Sequence, residues 1–165
     1  MSEGRLWSTW AKAPQLRGAD VAIVAACLPF INRELYEHIA KGKAVLLACP
    51  EQEPTAFYGK IASMIRSTRP KSLTVVSIEG SPHCALLHAS VNEAEYILGE
   101  RVERRHYVVL EAKELKEISP DAARVARYLH LVQRLVEKNP EILKELEKYS
   151  LEYNAAKRLS ESQTK

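Results

Sequence analysis

Cysteine is scarce in this chain, with three in 165 residues. An odd number at wide spacing excludes a disulfide framework, so Cys27, Cys49 and Cys84 are free thiols, ligands or a nucleophile. No apolar run approaches the roughly 20 residues that span a bilayer, and no membrane partner is expected. Charge of one sign is missing too. Lys and Arg number 24 against 21 Asp and Glu, for a net +3. The signs are mixed along the chain, 13 basic against 12 acidic in residues 1–112 and 11 against 9 beyond. Nucleic acid calls for a stripe of basic residues. The densest group here, Arg101, Arg104 and Arg105, reads as a solvated connection, so no nucleic-acid partner is expected. The opening MSEGRLWSTWAKAPQLRG lacks the apolar stretch of a secretion signal, which gives the expectation of a reducing, cytoplasmic location. Neither a GxGxxG turn nor a phosphate-loop lysine occurs, so a nucleotide site is not expected. Repeats and low-complexity segments are absent.

What is there is a regular alternation. Val21–Ala26 and Ala44–Ala48 are short apolar runs without polar alternation, the pattern of strands covered on both faces, as in parallel sheets. Leu73–Ile78 is β-branched and bounded by Pro70 and by Gly80-Ser81-Pro82. Tyr107–Leu110 is a shorter fourth run. Between them the sequence reads as helix. Asn32 caps one helix to about Ala40, closed by Gly42. Pro54 opens a second that runs to about Ser67, and Ser81-Pro82 opens a third that Gly99 stops at Leu98. The predicted fold is a three-layer α/β domain on a short parallel sheet of about four strands in the order 2-1-3-4.

The predicted organisation is an N-terminal arm over 1–19, an α/β domain over 20–112, a helical hairpin over 113–159 and a disordered tail over 160–165. Trp7 and Trp10 are expected to pin the arm to the body. In the hairpin, Ser119-Pro120-Asp121 starts a helix with Ala122, Val125, Leu129, Val132 and Val136 on one face. Asn139-Pro140-Glu141 starts another, with Ile142, Leu146, Tyr149 and Tyr153 aligned.

The three cysteines fall after three successive strands. Cys27 ends VAIVAAC, Cys49 ends AVLLAC, and Cys84 lies just past VVSIEG at a helix start. Carboxyl ends of parallel strands form the ligand crevice of open α/β sheets. Strands about 4.8 Å apart would bring the thiols near one another, with Cys27 in the middle. His83 adjoins Cys84, and His88 shares its helix face four residues on. Thiolate with imidazole suits zinc or an iron–sulfur centre, giving the candidate ligands Cys27, Cys49, Cys84, His83 and His88. Cys84 also lies in a first helical turn, where the dipole favours thiolate. It is thus the candidate nucleophile, with His83 or His88 as base. Cysteine also packs as a small apolar side chain, and Cys27 and Cys49 can equally be core filler. His38, His106 and His130 are isolated and read as structural.

At these cysteines the chain resembles a group of small bacterial and archaeal iron–sulfur proteins, in which a ferredoxin-type segment is joined to a compact α/β domain. The family pattern is Ala-Asp-Cys at one strand end, Gly-Cys-Pro-Lys at the next, then a glutamate and Pro-Cys-Cys opening a helix. Here the stretches read Ala25-Ala26-Cys27, Ala48-Cys49-Pro50-Glu51 and Glu79-Gly80-Ser81-Pro82-His83-Cys84. The resemblance covers about residues 20–112. The ferredoxin segment with its closely spaced cysteines is absent, and the paired cysteine is His83-Cys84. The resemblance implies metal binding or electron transfer with a redox protein as partner.

Three functions are therefore expected in competition. The first is a metal- or iron–sulfur-binding redox accessory protein that is not an enzyme on its own. The second is a cofactor-free module that self-associates through its C-terminal helices. The third is a cysteine-dependent enzyme using Cys84.

Overall fold

The structure is a computed structural model that describes residues 3–54 and 56–162. It divides into two compact units, residues 1–124 and residues 125–165. In the first, six strands form one mixed sheet: β1 (Glu3–Arg5), β2 (Asp20–Ala25), β3 (Ala44–Ala48), β4 (Ser72–Ile78), β5 (Arg104–Leu110) and β6 (Glu114–Ile118). Their spatial order is β1-β3-β2-β4-β5-β6. The four expected strands are the centre of this sheet, and all pairs are parallel except β5 with β6.

Both edges were missing from the sequence reading, which expected four strands. β1 is only three residues long, with partly exposed Glu3, Gly4 and Arg5, so no apolar period announces it. β6 returns from β5 through Glu111 at φ 45° and Ala112 at φ 61°. A tight hairpin turn of this hand is usually marked by Asn-Gly, and Glu-Ala carries no such mark. The charged β6 sequence ELKEI also blunts the sheet edge against further pairing.

Helices cover both faces. On one lie α3 (Phe57–Thr68) and α4 (Ala85–Leu98). α3 buries Phe57, Ile61, Met64, Ile65 and Thr68 in a stripe at helical spacing. These pack with Val21, Ile23, Leu46, Leu73, Val75, Leu87 and Val91 into the larger core cluster. Leu6 and Leu16 join it, Leu16 from a 3-10 turn at Pro14–Leu16. Trp7 meets Phe57 edge-on at 6.5 Å between ring centres, while Trp10 is 64% exposed. The arm is thus tied down by Leu6, Leu16 and Trp7 more than by Trp10.

On the other face lie α1 (Leu28–Ile31) and α2 (Arg33–Ala40). Leu28, Tyr36, Ile39 and Ala40 pack there against Ala22, Val24, Val45, Val76 and Val109. Asn32 caps α2 as expected, its side-chain oxygen accepting from the Leu35 N–H at 2.9 Å. Its amide also donates to the Ala112 carbonyl at 2.9 Å, joining α2 to the β5–β6 turn. Each fully buried Leu, Ile, Val or Phe removes area worth about 1.5–3 kcal/mol from water, and among the described residues every buried apolar one lies between Leu6 and Val109.

After the sheet come α5 (Pro120–Val125), α6 (Leu129–Lys138), α7 (Ile142–Tyr149) and α8 (Leu151–Ser162). The expected two helices are therefore four. One unforeseen break is at Ser150, whose hydroxyl accepts from the Tyr153 N–H at 3.0 Å, the capping role Ser favours. The break near Tyr128 has no Pro or Gly to mark it. Residues 160–162, expected to be disordered, continue α8; residues 163–165 lie outside the described part. Among the described residues no helix is long and apolar enough to cross a membrane.

Candidate functional site

The order β3-β2-β4 brings together the carboxyl ends of the three strands that precede the cysteines. β2 is flanked by β3 on one side and β4 on the other, so Cys27 belongs to the middle strand. The chain leaves β2 for β3 on one side and leaves β4 for β5 on the other, which makes the β2/β4 boundary the switch point where open α/β sheets hold ligands.

Each thiol has a distinct setting. Cys27 is exposed, Cys49 half-buried and Cys84 buried. Cys27 is the cap residue of α1, and its carbonyl accepts from the Phe30 and Ile31 N–H groups at 3.0 and 3.2 Å. Beside it, the Ala26 N–H donates to the Ala48 carbonyl at 2.9 Å. That bond fixes the level at which Cys49 leaves β3. Cys49 then starts a turn in which its carbonyl accepts from the Gln52 and Glu53 N–H groups. The Glu53 carboxylate closes that turn, accepting from the Cys49 N–H at 3.1 Å and pairing with Arg5 at 3.1 Å. Cys84 precedes the first residue of α4, and its carbonyl accepts from the Leu87 N–H at 3.0 Å. The chain reaches it through Gly80 at φ 78°, a conformation glycine adopts without strain. α4 begins at Ala85, three residues later than Ser81-Pro82 implied.

The thiols feel one another. Burial raises the Cys27 pKa above the ordinary thiol value, and the neighbouring Cys84 and Cys49 raise it further. Cys27 is therefore not an activated nucleophile, and its ionisation is opposed by the same neighbours that would share a cation with it. Among the described residues no three His, Cys, Asp or Glu side chains are already gathered around a single ion position.

The two candidate histidines part company. His83 is exposed beside Cys84. His88 is 3% exposed and has both ring nitrogens engaged: Nε2 lies 2.8 Å from the Ser77 hydroxyl and Nδ1 lies 2.9 Å from Nδ1 of His106. It therefore faces the sheet, turned to β4 and β5. Burial pushes His88 down to about 4. His106, fully buried, is pushed down to about 3 by burial and then by His88, Arg104 and Arg124. Its Nε2 has no hydrogen-bond partner. Farther along α4, Arg104 reaches Asn92 and pairs with Glu95 at 2.6 Å. This polar seam under α4 was not seen in the sequence. His106 looked isolated because its partner is 18 residues away, and only the β4–β5 register with α4 above it brings the two rings together.

A concavity of about 400 Å³ lies at the other end of the sheet. Lys43, Ser72, Thr74, Arg105 and Tyr107 line it, from the beginnings of β4 and β5 and the residue before β3. It shares no residue with the thiol edge.

The model of the Rossmann-like domain matches residues 13–164, nearly the whole chain. The chain belongs to the Rossmann-like domain family. An uncharacterised protein of Archaeoglobus fulgidus is 30% identical over 99 residues, which are 59% of this chain and 69% of that one. No solved structure matches. The expected membership in the ferredoxin-associated iron–sulfur family is thereby corrected. A Rossmann-like sheet brings together whatever residues follow its central strands, so the short motifs around Cys27, Cys49 and Cys84 do not carry membership of that family. This Rossmann-like domain does not fit a dinucleotide either. Its β2–α1 turn reads Ala26-Cys27-Leu28-Pro29, with no glycine to let a pyrophosphate approach the backbone, and α1 is only four residues long.

Proposed function

We propose that this Rossmann-like domain is a metal-binding module with a redox accessory role. Cys27, Cys49 and Cys84 supply three sulfur ligands for zinc or an iron–sulfur centre, and His83 supplies the fourth. The observation that carries the reading is the strand order β3-β2-β4, which sets all three cysteines of the chain at one sheet edge. Ionising Cys27 carries a cost there, from burial first and then from the neighbouring Cys84 and Cys49, and its pKa is raised accordingly. A soft cation would remove that cost by coordinating sulfur. His83 is exposed and free of the buried seam, whereas His88 is committed to Ser77 and His106. His88 is accordingly left out of the ligand set, and its role is to anchor the first turns of α4 one turn beyond Cys84.

This chain's residues hold the site by backbone means. Glu53 fixes the Cys49 turn from below while tied to Arg5, and α1 and α4 fix the other two cysteines at their starts. Bound metal would supply either a structural clamp or, as a cluster, one-electron chemistry.

The experiment is metal analysis with visible absorption spectroscopy on protein purified anaerobically. Close to one equivalent of zinc or of cluster is expected, falling several-fold in Cys49→Ser. Less than about a tenth of an equivalent of iron and zinc together sinks the reading.

A further inference from the structure

The concavity at the end of the sheet away from the thiols takes no part in the metal site, and the topology explains why it is open. α3 and α4, which follow β3 and β4, both pack on the face opposite α2. Among the described residues of the first unit, no connecting helix therefore lies over β4 and β5 on the α2 side. Alternate residues of a strand share a face. Val76 and Tyr107 pack in the α2 cluster, which places Thr74 of β4 and Arg105 of β5 on that same side. The space between these strands and the end of α2 is about 400 Å³, within the roughly 300–1,000 Å³ of small-molecule sites.

The lining is divided by chemistry. Ile39, Val76 and Leu115 form an apolar part. Lys43, just past the end of α2, and Arg105, on β5, bring positive charge from two walls, with the Thr74 hydroxyl on β4 between those elements. Lys43 donates to the Ile39 carbonyl at 2.9 Å, which uses one of its three protons. Arg105 interacts with Tyr107, Glu117 and Glu103, and its guanidinium has five N–H donors to share among them. Arg104 also borders the space, but its guanidinium is turned to the opposite face, where Asn92 and Glu95 hold it. Among the described residues of the lining, Glu103 is the one that is acidic. With His38 neutral, Lys43 and Arg105 against Glu103 leave a surplus of one positive charge.

We propose that this concavity binds a small monocarboxylic acid with an apolar body. The carboxylate takes the guanidinium fork of Arg105 and the free protons of Lys43, and the apolar body lies on Ile39, Val76 and Leu115. A surplus of one suits one negative charge. A phosphate dianion would leave its second charge uncompensated, and α2 turns its C-terminal end this way, where the helix dipole is negative. A neutral ligand of the same shape would leave both cations without a partner.

Isothermal titration calorimetry of the full chain with 2-naphthoate tests this, alongside 2-naphthylmethanol, 2-naphthylmethylamine and 2-naphthyl phosphate. The carboxylate is expected to bind with a dissociation constant below about 1 mM, and the other three at least about tenfold more weakly. Arg105→Gln changes an exposed side chain, so its thermal midpoint is expected to hold while 2-naphthoate binds about tenfold more weakly. Thr74→Trp is expected to remove binding by filling the space. Absence of 2-naphthoate binding at about 10 mM overturns the proposal. So does the alcohol, amine or phosphate binding as tightly as the carboxylate, or undiminished 2-naphthoate binding by either folded variant. Lys43→Gln replaces whichever variant loses its thermal transition, under the same criteria.

Discussion

His88 and His106 are the residues whose chemistry departs most from the ordinary. Buried rings within hydrogen-bond distance stay neutral in the fold, whereas an unfolded histidine takes a proton near 6.5. A folded pKa below the unfolded one means that the folded state binds fewer protons between the two values. The stability of the neutral pair is therefore fully present above pH 6.5 and lost as pH falls toward 4 for His88 and 3 for His106. A shift of this size in one ring corresponds to on the order of 3 kcal/mol. Urea midpoints are expected to fall steadily from pH 6.5 to 4.5, a range in which most carboxylates are still ionised, and His88→Gln is expected to reduce that slope by about half. Equal stability at pH 7 and 4.5 would refute a neutral buried pair. The place of each cysteine after a strand was legible in the sequence, because strand ends can be read from apolar runs. The histidine seam was not, because register and helix placement decide it.

Among the elements, the β5–β6 hairpin carries the clearest strain. Ala112 sits at φ 61°, which costs a residue with a Cβ about 1–2 kcal/mol, against about 0.5–1 kcal/mol for the added chain entropy of glycine. Ala112→Gly is expected to stabilise the protein by roughly 0.5 kcal/mol, read as a higher denaturation midpoint with unchanged slope. A drop of the midpoint would mean that the turn is held for another reason. Asn32 supports this turn from α2 through the Ala112 carbonyl. The sequence revealed the capping half of that role, because Asn before a helix is a local signal. The second half joins residues 80 apart and leaves no local trace. The same distinction separates the inner strands, read from their unbroken apolar runs, from β1 and β6. Edge strands need satisfy burial on few sides, so their composition is that of loops.

On the scale of the whole molecule, the two units differ in what keeps them folded. Among the described residues, all the buried apolar ones lie in the first, from Leu6 to Val109, and the second has none. A chain ending at Arg124 is therefore expected to unfold cooperatively with a midpoint within a few degrees of the full chain. Collapse of that truncated chain would show that residues 125–165 contribute core the exposures do not reveal. The expected boundary of the helical region, at residue 113, falls inside the sheet, because β6 and α5 belong to the first unit.

The sequence by itself determined the α/β class, the four central strands, the cap at Asn32, and the position of each cysteine after a strand. These are local properties: hydrophobic period, cap chemistry and turn residues act over a few neighbours. Only the tertiary structure decided which strands flank β2, that His88 turns inward to Ser77 and His106 while His83 stays in solvent, and that Glu53 closes the turn below Cys49. It also decided which faces of α6, α7 and α8 remain uncovered. Each of these depends on pairs far apart in the chain, and their energies are set by register and burial, which no single stretch of residues contains.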